Sequence, residues 1–506
     1  MNKPNCEVIF THQTHTGALA TLAKSKKARK IAARLYTRNM VDPPEVVIRR
    51  NLWQVVAGYF PDALLADRTA LELAPAPDGS VFFISAKPHA MDLPGILLRP
   101  RHGVGPLPGD YAFRDGVMCT SMARAYLENM RPSRHRVTYP RTLPRRELEG
   151  RLERFVRNSG EQVFNQMRDD IRRLGGDLHM QNEAEHLSAI MGTLLGTRNE
   201  RLTNTAAVAR AAGEAVDTRR VELFDGLHDA LRRLPPLDEP TDQLNDEAFR
   251  TRAFCEAYFS NFIEGTEFEL SEAERIVFQG EIPKDRPADG HDILGTFRLV
   301  ADRAELSRRY DDEGGFIAVL QDRHRVIMAG RTSVAPGEFK KTVNRAGATT
   351  FVHPDAVSGT LKAGYRMVDR LEDPFQRAAA MMFIVSEVHP FNDGNGRLAR
   401  VMMNAELVRA HHSPIIIPTV YRDNYLAGLK RLTHHGDPEA YIRMLMFAHR
   451  YGRTIPWAER MVAFGVLTRT HALERVEEAE DKGHRLRLAT GDDVLAVREL
   501  LSKHQS

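Results

Sequence analysis

Two apolar helical stretches in the last third of the chain meet at a joint that no helix can continue through. FQRAAAMMFIVSEV carries apolar residues at helical spacing up to Val388, and RLARVMMNAELVRA does so again from Arg397. Between them stands HPFNDGNG, with a proline at 390 and glycines at 394 and 396. The joint commits this part of the chain to a helix–loop–helix with a short polar turn. Into residues 389–400, HPFNDGNGRLAR, it puts a histidine, an acid, a Gly-Asn-Gly turn and two arginines.

Each of these residue types carries its own chemistry. Gly394, Asn395 and Gly396 can take positive φ values that turn successive amide N–H groups inward, and the next helix adds the positive end of its dipole, which together make an anion cradle. Arg397 and Arg400 are three apart in the first turns of that helix, and their planar forks suit phosphate oxygens. Asp393 borders the cradle, where one hard carboxylate beside phosphates is the ordinary way Mg²⁺ is held. His389 ends the first helix and titrates near neutrality, as a general base must. Phe391 reads as an apolar peg under the loop. No GxxxxGK(S/T) loop occurs, so nucleotide binding does not rest on a Walker motif.

The stretch resembles the motif HPFx(D/E)GNGRxxR of the Fic (filamentation induced by cAMP) family and agrees with it at every specified position. The resemblance implies a nucleotidyltransferase that moves AMP from Mg²⁺-bound ATP to a Tyr, Thr or Ser hydroxyl of a target protein. In that scheme His389 is the base, Asp393 holds the metal, and Gly394, Asn395, Gly396 and Arg397 hold phosphates. Arg400 grips the γ-phosphate. PGEFKKTVNRAGATTFVHP, 336–354, resembles the family's flap segment, a hairpin that docks the target as an added strand, here assigned to Thr349, Thr350, Phe351 and Val352. PTVYRDNYLAGLKRLTHHGDPEAYI resembles the helices that close the family core, so the likeness runs from about 245 to 450.

A second stretch, SNFIEGTEFELSEAERIV at 260–277, resembles the family's inhibitory helix motif, (S/T)xxxE(G/N). Ser260 and Glu264 stand one helical turn apart and Gly265 follows, which presents a carboxylate at a helix end. The resemblance implies that Glu264 takes the γ-phosphate's place on Arg400.

The rest of the chain says less. Residues 1–130 read as a mixed α/β domain: a basic amphipathic helix (GALATLAKSKKARKIAARLY), a second helical pattern (PEVVIRRNLWQVVAGYF), then strands in GSVFFISA and GILLRP. KARKIAARLYTRN, WQVVAGYFPDALLADRTALEL, LPGILLRPRHGVGPLPGDY and VMCTSMARAYLEN resemble AbiEi-type antitoxins and regulators, which makes the chain toxin–antitoxin-like. That family usually begins with a DNA-binding winged helix, but only about twenty residues precede the matching stretch. Residues 131–240 read as a basic, proline-broken linker and a helical region, 241–455 as the Fic domain with its inhibitory helix, and 456–506 as a C-terminal helical extension. The fold class expected is mainly α, an all-helical core with a β-hairpin flap behind a smaller mixed α/β domain.

At 506 residues several domains fit, at about 100 to 200 residues each. No window approaches the roughly 18 uncharged apolar residues of a membrane span, and MNKPNCEVIFTHQTHTG lacks a signal-peptide core. Cys6, Cys119 and Cys255 show neither disulfide nor metal spacing, so a cytoplasmic location without membrane contact is expected. The first fifty residues hold 10 Lys/Arg against 3 Asp/Glu, including KSKKARK at 24–30, which leaves DNA as a partner alongside the target protein, auto-modification and self-association. The pairs His411-His412 and His434-His435 read as solvated residues, because neighbours on a helix point about 100° apart. Three alternatives stay open: removal of AMP by the same groups, transfer of another nucleotide, and a DNA-binding regulator whose Fic half senses nucleotide.

Overall fold

The computed structural model of the protein describes residues 6–13, 21–133, 139–237 and 244–503. The chain divides into two compact units, Met1–Ala212 and Gly213–Ser506. The break falls inside the helical region expected over 131–240, so the helix Thr218–Leu231 belongs with the second unit.

In the first unit Val8–Phe10 and Arg29–Ala32 flank Leu35–Thr37 in a three-stranded antiparallel sheet. The basic helix expected across this region is thereby corrected. Only 21–24 are helical among its described residues, and 17–20 lie outside them. Ile31 and Leu35, four apart, look like one helical face; Arg34 instead takes φ 60° and turns the chain back, so that they bury on neighbouring strands. The second helical pattern is two helices, Pro44–Arg50 and Leu52–Tyr59, broken at Asn51.

GSVFFISA and GILLRP supply Ser80–Ile84 and Ile96–Arg101, which pair in parallel. They lie within a six-stranded sheet of order Met91–Leu93, Ile96–Arg101, Ser80–Ile84, Leu64–Leu65, Met118–Cys119, Tyr111–Ala112. Val81, Phe83 and Leu98 bury against Val55 and Val56 of the helix Leu52–Tyr59. The helices Arg145–Asp177, Gln181–Leu194 and Thr205–Ala211 enclose a separate core around Leu152, Phe164, Ile171 and Leu187. The first of them breaks at Gly160, where φ is 81° and ψ is 166°.

Among the described residues the second unit is helical apart from one two-residue hairpin, Arg345–Ala346 with Thr349–Thr350. Its axis is the pair Pro374–Val388 and Asn395–Arg409. Ala378 to Val385 are all buried, so this helix is apolar around its circumference because it lies inside the bundle. Thr218–Leu231 and Pro354–Val368 pack on it. Asp246–Ile263 packs on Pro287–Val300, which in turn packs on Glu313–Ile327. The expected class, mainly α with an all-helical core behind a smaller mixed α/β part, is the class observed. No helix of the described residues is long and apolar enough to cross a membrane.

Gly295 marks how closely the last two helices approach: a Cβ there would stand 2.6 Å from the Val326 carbonyl oxygen and 2.9 Å from that of Ile327. Backbone cannot yield as a side chain can. Gly295→Ala is therefore expected to destabilise the second unit by about 1–3 kcal/mol. Gly226→Ala, where a Cβ meets open space inside the Thr218–Leu231 helix, should be neutral or stabilising by up to about 1 kcal/mol. Urea unfolding of the two variants checks the contrast.

Candidate active site

The loop between the two axial helices is fixed from below before any functional group is presented. Asp373 caps the first helix, accepting from the Gln376 amide at 2.9 Å, and Pro374 supplies a φ already suited to the first turn. The helix stops at His389, whose φ of 53° and ψ of 60° lie in the left-handed region while its amide still donates to the Val385 carbonyl at 3.1 Å. Phe391 drops into the interior with no exposed surface and stacks on His324, ring centres 3.7 Å apart. The Asn395 side chain closes the turn: Oδ1 accepts from the Phe391 amide and Nδ2 donates to the Phe391 carbonyl, each at 2.8 Å. That side chain is therefore structural, and the Asn395 backbone N–H is left to the cradle as expected; of the three residues expected to take positive φ only Gly394 does, because the helix already begins at Asn395.

His389 is set up as an acceptor. Its Nδ1 lies 3.3 Å from the Ser386 carbonyl, so Nδ1 carries the proton and Nε2 is the basic nitrogen. The ring stacks on Phe351 with centres 3.8 Å apart and planes 7° from parallel. Burial pulls its pKa down to about 4, against the opposing pull of the Ser386 carbonyl. His324 is likewise held down to about 4, chiefly by burial. Its Nδ1 accepts from the Gly337 amide and its Nε2 donates to the Asp393 carbonyl, both at 2.9 Å.

Asp393 stands at the mouth of the cradle, half-exposed at 47%, with Oδ1 accepting from the Gly394 amide at 2.6 Å. Gly394, at φ 74°, has no room for a side chain: a Cβ would meet Met328 Sδ at 2.5 Å. The second helix begins here, and its first-turn N–H groups face the loop mouth. A hard, half-exposed carboxylate beside an anion cradle is a donor set that fits Mg²⁺.

Both arginines already hold carboxylates. Arg397 is buried and its Nη1 lies 2.5 Å from Asp292 Oδ2, with Asp393 at 3.7 Å and Asn261 at 3.5 Å. Arg400 is also buried, and each nitrogen of its guanidinium is engaged. Nε donates to Ser260 Oγ at 2.9 Å, Nη2 to the Ser260 carbonyl and to Glu264 Oε1, each at 2.8 Å, and Nη1 to the Tyr425 hydroxyl at 3.2 Å. Burial works against that charge, and Tyr425 and Glu264 outweigh it, leaving the pKa of Arg400 above its usual value.

Glu264 reaches Arg400 from the C-terminal end of the helix Asp246–Ile263. Gly265, at φ 87°, ends that helix: its amide donates to the Phe262 carbonyl at 3.0 Å and the Thr266 amide to that of Asn261 at 3.1 Å, a Schellman closure. The carboxylate lies directly over the second axial helix, since a Cβ on Gly396 would stand 2.1 Å from Glu264 Oε1.

Glu264, Gly396, His389, Tyr425, Ser386 and Phe351 line one pocket of about 240 Å³. The hairpin forms part of its wall through Ala346 and Thr349. Thr349 and Thr350 are its second strand, and the Thr350 carbonyl accepts from Arg220 at 2.7 Å. Two residues assigned to target docking are placed otherwise. Val352 has no exposed surface and belongs to the core, and Phe351 lies past the ladder, over the His389 ring. The ladder ends at Thr350, so the chain turns inward two residues sooner than the β-branched run implied.

Sequence reasoning missed Asp292, His324, Lys340, Asn344 and Tyr425. Lys340 is buried and donates from its amide to the Pro390 carbonyl at 2.9 Å, from Nζ to the Val388 carbonyl at 3.3 Å and to Asn344 Oδ1 at 2.7 Å. Burial brings its pKa down to about 8. None of the five sits in a local pattern that announces it. Lys340 stood in the quoted flap segment and Tyr425 in the quoted closing helices, without a spacing that gave either a role.

Residues 317–407 match the model of the Fic/DOC family, and the chain therefore carries a Fic/DOC domain. A protein named protein adenylyltransferase Fic from Culex quinquefasciatus is 28% identical over 269 residues, 52% of either chain. The protein of the same name from Drosophila melanogaster is 27% identical over 259 residues, 50% of this chain and 51% of that one. The chain thus spans about half the length of the curated relatives it matches. The solved Fic-1 fragment from C. elegans is 19% identical with a TM-score of 0.36, covering 63% of this chain and 97% of its own.

Both buried imidazoles should stay neutral well below the usual histidine range. In ring-labelled protein, the His389 and His324 resonances are expected to hold their neutral positions from pH 7 down to about pH 5, whereas an exposed histidine turns over near 6.5. Titration of either ring near 6.5 would contradict the burial described.

Proposed function

We propose that the chain is an autoinhibited protein adenylyltransferase, moving AMP from Mg²⁺-bound ATP to a Tyr, Thr or Ser hydroxyl of a target protein or of itself. The observation that carries this reading is one pocket lined by a proton-accepting imidazole, by Gly396 at a helix N-terminus and by Glu264, the carboxylate that holds Arg400. His389 Nε2 takes the hydroxyl proton, the freed oxygen bonds to the α-phosphorus, and the bond from that phosphorus to pyrophosphate breaks. Asp393 is the residue that would hold Mg²⁺, which supplies neutralisation of phosphate charge. The first-turn amides of the second helix hold the phosphates, and the hairpin's exposed edge docks the target backbone.

Glu264 is the brake. Its carboxylate stands where an anion at the helix N-terminus must sit, and it takes one donor of Arg400 that a γ-phosphate would otherwise use. Removing it leaves the guanidinium aimed, because Ser260 and Tyr425 keep three of its contacts. Misplacement of a reacting group by about 1 Å costs on the order of 100-fold in rate, so relief of the brake should be of that order.

A second reading, removal of AMP from a modified protein, is favoured by one observation: Glu264 lines the same pocket as His389 and is 30% exposed, so it can orient a water as well as block a phosphate.

Purified wild type, Glu264→Gly and His389→Ala are to be incubated with Mg²⁺ and ATP labelled at the α-phosphate, then measured by intact mass. Transfer predicts one AMP unit gained in Glu264→Gly, on the order of 100-fold slower in wild type and absent in His389→Ala. Loss of AMP from pre-modified protein by wild type but not by Glu264→Gly would favour the second reading.

A further inference from the structure

Outside the nucleotide pocket, three side chains converge that neither the sequence reading nor the proposed reaction uses. His471 Nδ1 lies 3.1 Å from Glu474 Oε1, and His484 Nδ1 lies 2.9 Å from Oε2 of the same carboxylate. The two imidazoles stack with centres 4.0 Å apart. The three ligand atoms all lie within 4.8 Å of one another. We propose that His471, Glu474 and His484 form a binding site for a divalent transition metal of the Zn²⁺ class.

The backbone builds this cluster. The helix Arg460–Arg469 closes with the His471 amide donating to the Thr468 carbonyl at 3.1 Å and the Ala472 amide to that of Leu467 at 2.9 Å. That pattern puts His471 in the left-handed position, φ 64°, where glycine is the usual occupant. The helix Val476–Lys482 closes in the same way at Gly483, the His484 amide donating to the Ala479 carbonyl at 2.7 Å. Two helix C-termini, each with the negative end of its dipole, thus present an imidazole to one carboxylate in the turn between them. A cation is the natural occupant.

The donor set selects the class. Two imidazole nitrogens and one carboxylate suit zinc and its neighbours, whereas Mg²⁺ and Ca²⁺ take oxygen. Zinc bonds of about 2.0–2.2 Å in tetrahedral array put ligand atoms about 3.3 Å apart, so the spacings from Glu474 Oε1 to the two Nδ1 atoms, 3.1 Å each, need open by only a few tenths of an ångström. Ligation moves each Nδ1 proton to Nε2 of the same ring, which leaves the neutral imidazoles neutral. Three protein ligands leave a fourth position for water, and His484 also lines a surface pocket of about 650 Å³ through which solvent and metal can enter.

Tag-free full-length protein, stripped with chelator, is to be titrated with Zn²⁺ in a metal buffer and, separately, with Co²⁺ followed in the visible. One equivalent of Zn²⁺, a tetrahedral Co²⁺ band and a Tm that rises with zinc concentration are expected. Asp393→Ala should keep all three, which separates this site from the nucleotide pocket. His471→Gly is the deciding variant: glycine fits the left-handed position, so the helix end stays closed while a ligand is lost. Zinc affinity should fall more than about tenfold in His471→Gly and in Glu474→Gln. No zinc bound at neutral pH, or equal affinity in wild type and His471→Gly, would overturn the proposal and leave the trio as hydrogen-bonded polar residues.

Discussion

The candidate site depends on a buried cation, Arg400. Arg400 sits inside the bundle with its guanidinium held by Ser260, Glu264 and Tyr425. A buried charge is tolerated only when paired and hydrogen-bonded, because desolvation would otherwise cost several kcal/mol. The site therefore requires an anion next to this arginine. The chain supplies one from its own helix end, and in the proposed reaction a nucleotide would supply another. In the proposed autoinhibition two anions compete for one cation, and the helix N-terminus under Gly396 presses the same choice, since it too attracts whichever negative group is there.

The rest of the loop serves to keep that choice local. Asn395 and Asn344 both donate to the Phe391 carbonyl, Lys340 reaches the carbonyls of Val388 and Pro390, and the Phe391 ring is clamped against His324. These contacts hold backbone on both sides of His389, so an anion can arrive or leave without the base moving. The same burial keeps both imidazoles neutral. Neutrality matters doubly at His389, where a protonated ring would be no base and would add a second cation to compete for the anion.

How much of this was legible in sequence depended on how local the determinants were. The joint at 389–400 was readable because proline, glycines and flanking helical periods all act within a dozen residues. Ser260, Glu264 and Gly265 were readable because a helix end and its glycine cap are equally local. Asp292 was not, since its pairing with Arg397 depends on helices meeting in the fold. Tyr425 escaped for the same reason. The misread segment near the N-terminus shows the converse: Ile31 and Leu35 carry a helical spacing, but a left-handed Arg34 and pairing with the distant strand Val8–Phe10 override it. Val352 extends a β-branched run whose strand ends at Thr350, where the core takes over.

If Glu264 acts as the proposed brake, how it is built constrains how it releases. The main chain around Glu264 is doubly fixed, by the Schellman closure at Gly265 and by Arg422, which donates to the Ile263 carbonyl at 3.1 Å. Withdrawing the helix would break those bonds and strip Ser260 from Arg400 as well, loosening the cation that the nucleotide needs. Rotating the Glu264 side chain breaks one ion pair and nothing else, and the carboxylate is partly open to water, so the charge it carries is not stranded. Release by side-chain rotation therefore keeps the guanidinium aimed while freeing one donor. On the proposed reading the helix remains part of the active geometry after the carboxylate has left, which makes Ser260 a structural element of the working site and Glu264 alone the element that must move.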